Sequence, residues 1–237
     1  MIDLHSHIMP GIDDGSQDIY DSIEMAEIAE DSGVEVIVAT PHSNFKGVYE
    51  NYYDYHFKQR FTHLKQALKD NNLSLTLIEG MEIMASDDII QKLNSHQLIT
   101  LNHTDVPLVE FDFFVHFDYI HYIVEQLLKN GYRPLIAHPE RYFCIIKDPD
   151  RVRTLLKMGA LIQCNKSSIL GHFGLNIKTC VDYLLKEKLV TVVASDSHGI
   201  DVRTPDMSEI QFYLDLKYGS KMAELLLESN PKKILKL

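Results

Sequence analysis

The chain has 237 residues, of which 45% are apolar, and its formal net charge is -11. This length and apolar content suffice for one barrel-sized domain or for two smaller ones. The acidic balance excludes nucleic acid as the expected ligand, because binding to a phosphate backbone needs a basic face.

Seven short apolar runs alternate with helix-like segments along the chain. The runs predict buried strands at 1–4, 34–39, 73–80, 107–111, 133–138, 160–165 and 189–195. Helical patterns are predicted between them, over a segment capped by Ser16 and closed by Gly33, and over Tyr53–Lys69, Tyr119–Lys129, Pro149–Lys157 and Ile177–Lys186. Apolar strands alternating with helices indicate an α/β fold with a parallel sheet, either a barrel or a doubly wound sheet.

No linker, repeat or low-complexity tract divides the chain, so a single domain over residues 1–237 is expected. No run of about 18 apolar residues predicts a membrane span, and the first residues lack the features of a signal peptide. We therefore expect a cytoplasmic protein. Three cysteines without CxxC spacing are expected to be buried, small apolar side chains.

Side chains able to bind metal follow nearly every predicted strand. They are His5, His7, Asp14, His42, Glu82, Glu110, His138, Asp196 and His198. At the carboxyl rim of a parallel barrel such residues converge on one mouth, which favours the barrel over the doubly wound sheet. His5 and His7 would point to the same side of an extended segment. The set is too large for one ion, so two or three ions sharing carboxylates are expected. Manganese, iron, zinc and magnesium all suit these ligands.

Two arginines follow ligand candidates closely, Arg141 in AHPER and Arg203 in SDSHGIDVR. A planar guanidinium matches phosphate oxygens, so the combination indicates hydrolysis of a phosphate ester. Asn165, at the end of the sixth strand, is predicted to orient a ligand or the substrate. The tyrosines after His42 are interpreted as helix packing or a lid. The remaining histidines are interpreted as surface or packing residues; they are His56, His63, His96, His103, His116, His121 and His172.

The motifs HSH, DDG, PH, GMEI, VEF, AHPER and SDSH occur in this order across almost the whole chain. In this they resemble the polymerase and histidinol phosphatase (PHP) family, and more narrowly its bacterial manganese-dependent tyrosine-protein phosphatases of capsule and exopolysaccharide synthesis. The resemblance implies a distorted, TIM-like (β/α)7 barrel with three metal ions. One ion would be held by His5, His7, Glu82 and Asp196, a second by Glu82, Glu110 and His138, and a third by Asp14, His42 and His198.

The same resemblance implies that Arg141 and Arg203 bind phosphate, that Mn2+ is the ion, and that the substrate is the phosphotyrosine tail of a bacterial tyrosine kinase. Our hypothesis for the reaction is in-line attack by a metal-bridging hydroxide. Three alternatives stay open: a histidinol-phosphate or other small-molecule phosphatase of this family, a metal-dependent amidohydrolase-like barrel, and an inactive protein that only binds the kinase tail.

Overall fold

The computed structural model describes residues 1–237 and contains nine strand segments. They are β1 (Ile2–Ser6), β2 (Val36–Ala39), β3 (His42–Ser43), β4 (Thr76–Glu79), β5 (Glu82–Met84), β6 (Leu108–Glu110), β7 (Leu135–Ile136), β8 (Leu161–Asn165) and β9 (Val192–Ala194). β2 and β3 are separated by only two residues, as are β4 and β5, so each pair acts as one interrupted strand. The molecule therefore has the seven strands that the sequence predicts.

All strand pairs are parallel, in the orders β1-β2-β4 and β3-β5-β6-β7-β8-β9. The ring closes between β9 and β1. A bridge joins Ser6 to Ser197, and the backbone N–H of Asp196 donates to the carbonyl of His5 at 2.9 Å. This closure confirms the barrel and rules out the doubly wound sheet, whose edges stay open.

Helices fill the connections between strands. They are α1 (Ile19–Asp31), α2 (Tyr55–Asp70), α3 (Ile89–Asn94), α4 (Phe117–Lys129), α5 (Phe143–Lys147), α6 (Arg151–Met158), α7 (Lys166–Leu170), α8 (Leu175–Lys186), α9 (Ser208–Tyr218), α10 (Ser220–Glu224) and α11 (Asn230–Leu235). A π-helical segment, Leu225–Ser229, joins the last two, and 3-10 turns span Leu101–His103 and Pro139–Arg141.

The predicted helices are present, but the predicted cap of the first one is wrong. Asp18, and not Ser16, accepts hydrogen bonds from the backbone N–H groups of Tyr20 and Asp21. The hydroxyl of Ser16 instead donates to the carbonyl of Asp18 at 2.8 Å. The positive end of the helix dipole also stabilises a carboxylate at this position. The short helices α3, α5 and α7 and the last helices α9, α10 and α11 were not predicted from the sequence.

Two apolar clusters hold the barrel together. The larger one packs the helices against the outside of the strands. The smaller one takes a buried side chain from every strand: Leu4, Val38, Ile78, Leu108, Leu135, Leu161 and Val192. A cluster that draws on all seven strands of a closed ring lies inside it, as in other parallel barrels. Ile234 and Leu235 of α11 belong to this cluster and cover its end.

The three cysteines are buried and unpaired, as the sequence predicts. No helix in the structure combines the length and apolar character needed to cross a membrane.

Candidate metal centre

Four of the predicted ligands lie an even number of residues after an interior side chain of the barrel. Glu110 comes two residues after Leu108 of the interior cluster, and Glu82 comes four residues after Ile78. His42 and Asp196 likewise follow Val38 and Val192 by four residues. Since side chains an even number of residues apart share one face of a strand, Glu110 lies directly above the apolar interior. The other three keep the same even spacing across a break in the strand or past its end.

His5, His7 and His138 do not follow this alternation. His5 comes one residue after the interior side chain Leu4, so strict alternation would turn it outward. The pairing of β1 with β2 is irregular here, because Asp3–Ser6 on β1 faces the shorter stretch Ile37–Ala39. Such a bulge re-aims the residues that follow it. His138 has a left-handed backbone, with φ of 31°, which re-aims its ring.

Glu82 lies at the centre of the cluster and is fully buried. Its Oε1 is 3.2 Å from Nε2 of His5 and 3.0 Å from Nε2 of His138. Its Oε2 is 3.3 Å from Nε2 of His7 and 2.9 Å from Nδ1 of His42. One carboxylate thus contacts four imidazoles, two on each oxygen, and so holds the predicted ligands together.

Asp196 faces both the histidines and the arginines. Its Oδ1 is 3.4 Å from Nε2 of His5 and 3.5 Å from Nε2 of His7. Its Oδ2 is 2.5 Å from Nη2 of Arg203 and 3.4 Å from Nη1 of Arg141. The two guanidinium groups therefore reach the same side of the cluster from different loops. Asp196 and Arg203 both have left-handed backbones, with φ of 51° and 52°.

The loop after β1 carries Asp14 to the outer side of the cluster. Oδ1 of Asp14 lies 3.5 Å from Nε2 of His42 and 3.7 Å from Nε2 of His198, and its side chain is 49% exposed. Gly15 permits this approach, because a Cβ at this position would lie 2.2 Å from the carbonyl oxygen of His7. Nδ1 of His42 is also 3.4 Å from Glu110.

Asp13, the neighbour of the predicted ligand Asp14, forms hydrogen bonds with two of the other predicted ligands. Its side chain is buried, and Oδ2 accepts hydrogen bonds from Nδ1 of His7 and from the backbone N–H of His42, both at 2.8 Å. A histidine that donates from Nδ1 presents the lone pair of Nε2 to a metal. The paired aspartates in DDG therefore have different positions, with Asp14 toward the ligands and Asp13 behind them.

Gln163 and Asn165 on β8 form a second supporting chain. The amide of Gln163 accepts from Nδ1 of His5 at 3.2 Å and donates to Oδ1 of Asn165 at 2.6 Å. Nδ2 of Asn165 donates to Oδ2 of Asp196 at 2.5 Å. Asn165 thus orients a carboxylate, as predicted. The signal for Gln163 was a polar residue inside an otherwise apolar strand, and it was missed.

Burial and neighbouring charges set the pKa values in the cluster. Burial alone would raise the pKa of Glu82, but His5 and His42 beside it hold that pKa well below its usual range. Burial would lower the pKa of His42, whereas the charge of Glu82 and a hydrogen bond with Glu110 raise it to about 10. For His198, burial and the nearby charge of His7 lower the pKa to about 2. Protons and metal ions compete for such ligands.

The donor set fits divalent cations. Three groups of ligand atoms each lie within 4.8 Å of one another: His7, Asp14, His42 and His198; His5, His7 and Asp196; His42, Glu82 and Glu110. Oε2 of Glu82 and Nε2 of His198 are buried without a hydrogen-bond partner of acceptable geometry, although other nitrogens and oxygens of the cluster lie nearby. Lone pairs that converge without pairing with one another are suited to a cation between them.

The structure brings all nine predicted ligands and both arginines into one site. The groups it forms differ in part from those that the family resemblance implies, because His42 joins Glu82 and Glu110 while His138 lies 3.0 Å from Glu82 and 3.6 Å from Glu110. The seven histidines interpreted as surface or packing residues are all exposed. Tyr49 stacks on His42 at 5.4 Å with an interplanar angle of 8°, so this tyrosine lies at the mouth and does not pack in a helix.

Comparison with known proteins gives consistent matches over the full chain. The family model described as "Capsular polysaccharide synthesis, CpsB/CapC" matches residues 1–236. Tyrosine-protein phosphatase YwqE of Bacillus subtilis is 36% identical over 233 residues, which cover 97% of this chain and 89% of that protein. Tyrosine-protein phosphatase CpsB of Streptococcus agalactiae is 34% identical over 241 residues, covering 100% of this chain and 98% of that protein.

Solved structures agree with these sequence matches. One solved structure comes from work on YwqE of Bacillus subtilis and CpsB of Streptococcus pneumoniae, which are described as unique metal-dependent tyrosine phosphatases. Its TM-score with this chain is 0.92 at 35% identity, and the match covers 100% of this chain and 94% of that chain. Histidinol phosphate phosphatase from Lactococcus lactis has a TM-score of 0.61 at 13% identity, covering 94% and 93% of the two chains. This more distant likeness concerns the fold alone.

Proposed function

The chain belongs to the CpsB/CapC family of capsular polysaccharide synthesis proteins, and from this premise we propose that it is a metal-dependent protein-tyrosine phosphatase. The observation that carries the proposal is the shared contact of Arg141 and Arg203 with Asp196, a carboxylate that also faces His5 and His7. Two guanidinium groups beside a cluster suited to cations form a site for a phosphate ester.

The ligands for the ions are the nine side chains of the cluster, His5, His7, Asp14, His42, Glu82, Glu110, His138, Asp196 and His198. Bound ions supply positive charge for the phosphate and lower the pKa of water. Glu82, whose carboxylate contacts four imidazoles, would be the central ligand of this set. Two or three ions are expected, and Mn2+ is the proposed native ion because the family resemblance implies it.

Arg141 and Arg203 bind the phosphate in this proposal. Their guanidinium groups offer paired N–H donors to its oxygens and stabilise the charge that develops there. Both side chains are partly exposed, by 18% and 24%, so a phosphate arriving from solvent can reach them. The contacts with Asp196 hold the two groups in place before the substrate binds. Asp13, Gln163 and Asn165 keep the ligands oriented.

The chemistry of the leaving group suits tyrosine better than serine or threonine as the substrate side chain. A phenol has a pKa near 10, so its oxygen needs less protonation on departure than an alkoxide does. The mouth is open at Asp14, which suits a side chain presented on a protein. We propose that the substrate is the phosphotyrosine tail of a bacterial tyrosine kinase that controls capsule or exopolysaccharide synthesis, a partner that the family resemblance implies.

One experiment separates this function from its alternatives. Metal content is measured, and turnover with Mn2+ is then compared for phosphotyrosyl and phosphoseryl peptides of one sequence and for histidinol phosphate. We expect two or three ions per chain and preferential hydrolysis of the phosphotyrosyl peptide. Much faster hydrolysis of histidinol phosphate would instead make the protein a small-molecule phosphatase.

A chelator and a thiol reagent test the metal mechanism directly. Chelation should abolish turnover, whereas alkylation should leave it intact, because all three cysteines are buried and burial raises the pKa of each thiol. Glu82→Gln should lose metal and turnover together, while Glu27→Gln, a matched change at an exposed position of α1, should lose neither. Full activity after removal of the metal would refute the mechanism.

A further inference from the structure

A cavity of about 310 Å³ opens beside the proposed phosphate site. Its walls come from α7, from the turn that follows it, from the loop that carries Arg203, and from Glu209 in the first turn of α9. Arg203 lines this cavity, and its Nη2 is also 2.5 Å from Oδ2 of Asp196. A single arginine therefore connects the cavity with the cluster of predicted metal ligands.

Phe173 makes a second connection between the cavity and the cluster. Its ring lines the cavity and also lies 4.8 Å from Cζ of Arg141. Phe113 contacts the same guanidinium, with 4.5 Å between its ring centre and Cζ, but it does not line the cavity. The two phenylalanines thus share a contact with Arg141 and differ in their contact with the cavity.

The apolar part of the wall is accessible to a ligand. Leu170, Phe173 and Val202 are its hydrophobic residues, and Val202 is 75% exposed. The ammonium of Lys166 donates to the carbonyl of Asp206, so this buried cation already has a partner. At about 310 Å³ the cavity is at the lower end of the range of about 300–1,000 Å³ for small-molecule sites.

We propose that this cavity binds the aromatic ring of the phosphotyrosine substrate. The inference rests on the proposed function, since it assigns the ring of the same substrate whose phosphate the arginines bind. Only one oxygen atom separates phosphorus from the ring in a phenyl phosphate, so a phosphate at Arg203 places the ring next to that arginine. Phe173, Leu170 and Val202 supply the apolar contacts there. Phosphoserine has no ring to fill the cavity and gains none of these contacts.

Two non-hydrolysable probes measure the contribution of the ring. Inhibition constants of benzylphosphonate and methylphosphonate are compared on the manganese-loaded enzyme, for the wild type and for Phe173→Leu, Phe113→Leu and Val202→Ser. The wild type should bind benzylphosphonate more tightly than methylphosphonate. Phe173→Leu should reduce this preference about twofold to twelvefold, the range expected for loss of one aromatic pair. Val202→Ser should reduce it less.

Phe113→Leu is the matched control, because any effect transmitted through Arg141 appears in it as well. It should leave the ratio of the two inhibition constants unchanged. Equal loss of the ratio in both phenylalanine variants, or no preference for benzylphosphonate in the wild type, would overturn the proposal. If Phe173→Leu does not fold, Val202→Ser at the exposed position serves as the test. A smaller preference for benzylphosphonate in this variant would support the proposal, and an unchanged preference would contradict it. Failure of the wild type to hydrolyse a phosphotyrosyl peptide would count against the proposed function, and the ratio would still report on the cavity.

Discussion

Replacement of Asp13 by asparagine tests how far the metal site depends on a residue that is not itself among the proposed ligands. All three groups that contact the Asp13 carboxylate are donors: Nδ1 of His7 and the N–H of His42 at 2.8 Å, and the N–H of Gly15 at 3.0 Å. An asparagine offers only one acceptor oxygen. Its NH2 group must therefore face at least one of these donors.

The least costly arrangement keeps the oxygen toward His7 and His42 and turns the NH2 group toward Gly15. The N–H of Gly15 then loses its hydrogen-bond partner, which lowers the free energy of unfolding by about 1–3 kcal/mol if no water molecule replaces that partner. The hydrogen bond to His7 also loses its charge. Loss of such a supporting partner typically lowers metal affinity by about 10- to 100-fold, which is about 1.4–2.7 kcal/mol.

Calorimetric titration with Mn2+ measures the effect, with Asp31→Asn as the control, since it removes the same charge from an exposed position at the end of α1. We expect Asp13→Asn to bind the same number of ions more weakly, and Asp31→Asn to match the wild type. Wild-type affinity in Asp13→Asn would refute the view that this carboxylate orients His7. Loss of one whole ion would instead make Asp13 a ligand.

Two further predictions concern turnover and pH. Arg141→Ala should lower kcat by about 10²–10³-fold, because loss of one donor to a developing charge has this effect in other enzymes. Elemental analysis should find the same metal content as in the wild type. Loss of the ions would instead make Arg141 a structural residue. Burial and the hydrogen bond to Glu79 raise the pKa of Tyr53 to about 12. The folded protein therefore favours the protonated phenol, and this stabilisation is complete below pH 10 and lost as the pH rises from 10 toward 12. Denaturant unfolding between pH 8 and 11 should show that the free energy of unfolding declines less in Tyr53→Phe than in the wild type. An equal decline in both proteins would show that Tyr53 does not cause it.

Several features of the site follow from the sequence because they depend on local pattern. Eight of the nine predicted ligands lie at or just after the end of an apolar run, Asp14 lies in the loop after the first run, and parallel strands bring such ends to one rim. The even spacing of Glu82 and Glu110 from interior leucine and isoleucine residues is likewise visible in the sequence once the inward face is known. The seven strands, the parallel barrel and the position of the site were predictable for this reason.

Other features depend on contacts between distant segments, and only the tertiary structure decided them. The bulge in β1 that accompanies the inward aim of His5 is defined by pairing with β2. Asp13 hydrogen-bonds to His7 and to the backbone of His42, whereas Asp14 faces the imidazole of His42, and this difference depends on where the two histidines lie relative to the loop. The cap at Asp18 was misassigned because Ser16 is an equally good capping residue by type, and the backbone path selects between them.

The sequence by itself determined which chemical groups gather at the barrel mouth, since strand ends and residue types are local properties. The tertiary structure decided which nitrogen faces which carboxylate, that Arg141 and Arg203 meet at Asp196, and that Phe173 joins Arg141 to a cavity lined by Arg203. These are relations between side chains far apart in the chain. No pattern within one segment encodes them, because they arise only when the ring of strands closes.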